Sequence, residues 1–89
     1  METQEIQTGQ IPAIEDLIVD AIARLSLAAH VFISDEEGKQ SDLASAEIAI
    51  DVAASAYERV KERLKPEQRL AITQLLTETR MSFVKKRGV

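Results

Sequence analysis

Cysteine is absent from the chain, histidine occurs once, and aromatic residues make up only 3% of it. Without thiols there is no disulfide framework, no cysteine nucleophile and no thiolate metal site, a usage that fits a reducing cytoplasm. One histidine cannot build a His-rich metal centre. The helical di-iron architecture needs Glu-x-x-His pairs, and Leu27 stands three residues before His30. As a catalytic base His30 would need a nucleophile or acid partner, and the sequence nominates none. It is read as a surface or interface histidine.

Further motifs are missing. There is no glycine-rich phosphate loop, no HExxH and no nucleophile elbow. Asp35, Glu36 and Glu37 lie in a turn that lacks the alternating ligand series and distal glutamate of an EF-hand, so they read as a solvated turn. The longest apolar region, Ile11 to Ile33, is interrupted by Glu15, Asp16, Asp20 and Arg24. Its unbroken runs fall short of the ~20 residues that span a bilayer, and the polar start METQEIQTGQ is unlike a signal peptide. The expectation is a non-enzymatic, cytoplasmic protein with no cofactor, no metal and no membrane partner.

What is present is aliphatic. Hydrophobic residues are 45% of the 89, with only three glycines and two prolines to break helices. This length supports one domain, residues 11–89, preceded by a flexible arm over residues 1–10 that has no apolar period. The net charge of −4 is unevenly spread. The first 40 residues hold eight acids and two bases, and the remainder hold seven acids and nine bases. An acidic first half argues against nucleic-acid or anionic-membrane binding by the whole surface.

The chain is organised around Leu43 to Leu64. Ala46, Ile50, Ala53, Tyr57, Val60 and Leu64 recur at spacings of four and three, one stripe of a helix. Alanines at and beside this seam let neighbouring backbones come close. Helices are predicted over 12–32, 42–64 and 66–86. Pro12 and Pro66 open the first and third, Ser41 or Asp42 caps the second, and Pro66 stops the second near Leu64. The polar turn Ser34 to Gln40 joins the first two helices. The expected fold class is all-α, three antiparallel helices in a small bundle completed by homodimerisation.

The apolar face of the first helix is expected to hold Ile14, Leu17, Ile18, Ala21, Ile22, Leu25, Ala28, Ala29 and Phe32. Val19, Leu27 and Val31 fall outside it. The third helix is expected to bury Ala71, Ile72, Leu75, Leu76, Thr79 and Phe83, leaving Leu70, Met81 and Val84 towards the other side. Leu27, Val31, Ile48, Val52 and Met81 therefore stand as candidate interface residues, off the main stripes. They motivate the leading expectation, a self-associating helical module with a dimer favoured. Lys85, Lys86 and Arg87 form the one basic cluster. It supports the alternative of a small nucleic-acid-associated accessory protein using its basic C-terminal end.

Leu25, Ser26 and Ala29, Gly38 in a polar loop, Ile50 and Asp51, Glu67 and Gln68 after Leu64, and Arg80, Met81 and Val84 follow one another in an order known from another group. Over Leu25 to Val84 the chain resembles a bacterial family of short helical proteins, the domain of unknown function numbered eighteen forty-four. It departs from that pattern in carrying Glu62 and Lys65 where the family has a glycine and a Ser or Thr cap, and in a shorter first loop without a proline-rich stretch. The resemblance implies a cytoplasmic bacterial protein and brings no catalytic residues.

Overall fold

The computed structural model of the chain describes residues 12–35 and 40–88. Three helices follow one another: α1, Ile14–Ile33; α2, Leu43–Val60; and α3, Pro66–Arg87. A single 3₁₀ turn, Lys61–Arg63, closes α2. Among the described residues there is no strand, and the all-α three-helix arrangement is the one expected. The arm predicted over residues 1–10 and part of the turn between α1 and α2 lie outside the described residues.

Each helix begins and ends for a local reason. Proline has no amide to donate and suits a helix entrance, and α1 starts two residues after Pro12, with the Ala13 carbonyl accepting from the amides of Asp16 and Leu17. Asp42 is the N-cap of α2. Its carboxylate accepts from the Ser45 amide at 3.0 Å and the Ser45 hydroxyl at 2.8 Å. Its own amide donates to the Phe32 carbonyl at 2.7 Å, which binds the start of α2 to the end of α1. At α3 the Gln68 side-chain carbonyl reaches back to accept from the Lys65 amide at 3.0 Å, and Pro66 takes the first helical position. Gly88 ends α3 at φ 84°, the left-handed conformation that only glycine adopts without steric cost.

The end of α2 differs from the expected run to Leu64. The α-helix stops at Val60, and the chain tightens into the 3₁₀ turn before Leu64 and Lys65 extend ahead of Pro66. The Leu64 amide closes this turn on the Lys61 carbonyl at 3.2 Å. The Arg69 guanidinium adds a second donor to the Lys61 carbonyl at 3.1 Å and donates to the Leu64 carbonyl at 2.8 Å.

The α2 stripe is the centre of the core. Ala46, Ile50, Ala53, Val60 and Leu64 are buried, and Tyr57 is half-buried. The core falls into two parts. Ala29, Ile33, Ala46, Ala49, Ile50 and Phe83 meet at the end where α1 turns into α2. Ile22, Ala53, Val60, Leu64 and Ile72 meet towards the other end. Helix α1 packs most extensively on α2, and α3 lies across one side of this hairpin. Many of the contacts are made by alanine. A methyl group removed from water contributes ~0.8 kcal/mol, whereas a buried leucine or isoleucine contributes about 2–3 kcal/mol. The core is therefore close-packed but modest in driving force.

Three burial expectations are corrected. Of the predicted α1 face, Ile14, Leu17 and Phe32 remain 48%, 47% and 36% exposed, while Ser26 and Ile33 are buried. The side of α1 that meets α2 and α3 is rotated towards Ser26, so the broad apolar face splits into a covered part and an open part. On α3, Ala71 is exposed. Val19, placed outside the main face, is half-buried against the second core group.

Candidate interaction surfaces

The exposed apolar residues gather on two separate sides. On the hairpin, Leu27, Val31, Arg24, Ala28 and Phe32 line a shallow groove of about 300 Å³. A second groove of about 270 Å³ is lined by Leu25, Ala28, Phe32, Ser45, Ile48 and Ala49. Ala28 and Phe32 belong to both, so α1 and α2 together present one continuous apolar surface. Val52 extends it by one turn from Ile48. Leu27 is 67% exposed, Val31 59%, Ile48 64% and Val52 49%. Four of the five sequence-predicted interface residues are thus exposed on the outer side of the hairpin.

Met81, the fifth, is equally exposed but belongs to the outer side of α3. It lines a groove of about 540 Å³ with Leu76, Thr77, Arg80, Ser82, Val84 and Lys85. Ile72, Thr79 and Phe83 are the buried residues of α3, and the helical period places Met81 opposite them. The structure does not bring Met81 together with the other four.

The basic C-terminal end is partly engaged within the chain. Lys86 donates to the Asp35 carboxylate, and this hydrogen bond, together with the ammonium charge, holds the Asp35 carboxyl below the usual carboxylate range. The Arg87 guanidinium stands 5.3 Å from the centroid of the Phe83 ring, a cation–π distance. Lys85 is exposed along the α3 groove. The Lys86–Asp35 contact fastens the end of α3 beside the end of α1. At the opposite end Arg63 meets Glu15 at 2.6 Å and ties the α2–α3 corner to the start of α1.

His30 faces α3. Its Nε2 lies 3.2 Å from the Thr79 hydroxyl, which already donates to the Leu75 carbonyl at 2.8 Å, so the imidazole N–H is the donor. Ser26, one turn earlier, is 1% exposed, and its hydroxyl has no hydrogen-bond partner among the described residues. Elsewhere, the Ser45 amide and then the Ser45 hydroxyl lower the Asp42 carboxyl, and a hydrogen bond to Glu58 raises the Lys61 ammonium. Among the described residues no group of three His, Asp or Glu side chains is placed to hold a metal ion, and no helix is long and apolar enough to cross a membrane.

Two features escaped the sequence pattern. The Arg69 clamp depends on a 3₁₀ turn that periodicity cannot show. The joining of Leu27 and Val31 to Ile48 depends on Phe32 standing half-open between them, although its spacing alone assigns it to the core. No family model matches the chain, and no similar curated protein or solved structure is found.

Proposed function

We propose that the chain is a non-enzymatic helical module that works through protein contacts, self-associating as a dimer. The observation that carries this reading is the continuous apolar surface of Leu27, Val31, Phe32, Ile48 and Val52 on the outer side of the hairpin. Scattered apolar side chains are ordinary on a monomer, but a contiguous surface of this kind marks a contact. The small alanine-rich core adds to the case, because a domain of this size gains from burying surface against another chain. The engagement of Lys86 by Asp35 and of Arg87 by Phe83 favours this reading over binding of nucleic-acid phosphates, which would need those cations free.

Size exclusion coupled to light scattering tests it. At tens of micromolar the expected mass is about twice 9.9 kDa. Monomeric protein throughout that range would overturn self-association. Material absorbing strongly at 260 nm and lost in high salt would move the reading to nucleic acid.

A further inference from the structure

We infer that the occupant of the open hairpin surface is the same surface of a second copy, related by a twofold axis, with α3 left on the outside of the dimer. This rests on the self-association reading and adds to it a partner surface and a symmetry.

Three properties of the surface select its occupant. The first is charge. Among the described residues Arg24 is the single charged residue lining the two hairpin grooves, and its guanidinium is paired with Asp20 at 2.8 Å. A basic partner helix would require a carboxylate rim, and an anionic lipid surface would require a cationic one. A partner that matches an apolar surface with so little charge is itself apolar, and this chain carries one. The second is area. Leu27, Val31, Phe32, Ile48 and Val52 each keep between 36% and 67% of their surface. At about 100 Å² apiece they provide roughly 500 Å² before their small neighbours are counted, against the ~800 Å² per partner of a stable interface. The third is relief. Leu27 and Ile48 are well exposed and share their grooves with the small Ala28 and Ser45, so the surface pairs large and small side chains as self-complementary packing needs.

The alternative pairing of two copies is head to tail, with the outer side of α3 on the hairpin surface. That would press Arg80 and Lys85, which border Met81 and Val84, onto a surface whose one lining charge among the described residues is also positive. Desolvating these cations against a groove whose nearest carboxylate, Asp20, is already paired with Arg24 is unfavourable, and nothing in such a pairing would stop further copies from adding. The isologous pairing avoids both.

Light scattering across dilution tests the proposal with three variants. Ile48→Asp and Leu27→Glu each place two carboxylates in the twofold contact. Each should raise the dimer dissociation constant on the order of 100-fold, giving monomers with unchanged far-ultraviolet helicity. Two different positions are used so that loss of folding in one still leaves the other to report. The double variant Leu70→Glu/Met81→Glu alters only the outer side of α3 and should stay dimeric. If the native chain is dimeric but the α3 variant is monomeric, or both hairpin variants remain dimeric, the twofold hairpin pairing is wrong while self-association stands. If the native chain is monomeric, the self-association reading falls and this proposal falls with it.

Discussion

Replacing Ser26 by alanine should stabilise the protein, and the size of the gain follows from its surroundings. Ser26 is 1% exposed between α1 and the rest of the bundle, and among the described residues nothing bonds its hydroxyl. A buried polar group left unpaired costs about 1–3 kcal/mol. Alanine is also the better helix former, by about 0.5 kcal/mol at an interior position. Against this stands the small void left by one oxygen atom, worth about 0.5 kcal/mol at most. The expected net gain is about 1–3 kcal/mol, a rise in Tm of about 4–24 °C for a domain of this size. Thermal and urea unfolding followed by circular dichroism measure it. Both proteins must be compared at one concentration, because association raises apparent stability by mass action. Most single substitutions destabilise, so the sign alone is informative. A loss of 0.5 kcal/mol or more would show that the Ser26 hydroxyl is bonded in solution and would refute the reasoning.

Three further expectations follow. Ile22, fully buried between Ala53 and Ile72, should lose about 3 kcal/mol on truncation to alanine, whereas Ile14→Ala at its exposed site should lose under about 1 kcal/mol; equal losses in urea unfolding would contradict the assigned core. Arg69→Ala removes the Arg69 donor from the Leu64 carbonyl and leaves the Lys61 carbonyl with the Leu64 amide alone, and should cost about 1–2 kcal/mol, with amide exchange accelerated first around residues 60–66. The Asp42 carboxyl is lowered on folding, so its contribution is present above the unfolded carboxylate pKa and is lost as pH falls through the folded value, below about pH 4. Asp42→Asn keeps an acceptor for the Ser45 amide and should flatten this part of the acid dependence of Tm, while Asp42→Ala should lower Tm at neutral pH; an unchanged acid profile in the asparagine variant would dismiss Asp42 as a contributor.

Much of this architecture is written in short-range signals. The three-four spacing of Ala46 to Leu64, the prolines at 12 and 66, and the acidic cap at Asp42 place three helices to within a few residues. They do so because each acts through the chain immediately beside it. What spacing cannot convey is which side of an apolar helix a neighbour will cover. Helix α1 is apolar around more than half its circumference, and the approach of α2 and α3 together decides that Ser26 and Ile33 are enclosed while Leu17 and Phe32 stay open. The interface candidates were legible on α1 and α2 because Leu27, Val31, Ile48 and Val52 fall off the stripes. Their division from Met81 was not, since it depends on the way α3 lies across the hairpin. Arg69 gave no signal either: its role exists only because the backbone tightens after Val60.

The two-ended fastening of α3 has a consequence for how the protein breathes. Arg69 anchors its first turns and Lys86 its last, while between them only Ile72, Thr79 and Phe83 are buried. Helix α3 is therefore the element that detaches as a block, ahead of the α1–α2 pair, when the molecule opens below its global unfolding free energy. Such an excursion uncovers the alanine seam of α2 while leaving the exposed Leu27, Val31 and Ile48 side of the hairpin as it was. Native-state exchange would then rank the amides of α3 as a single less-protected group, with those of α2 around Ala53 the slowest in the chain.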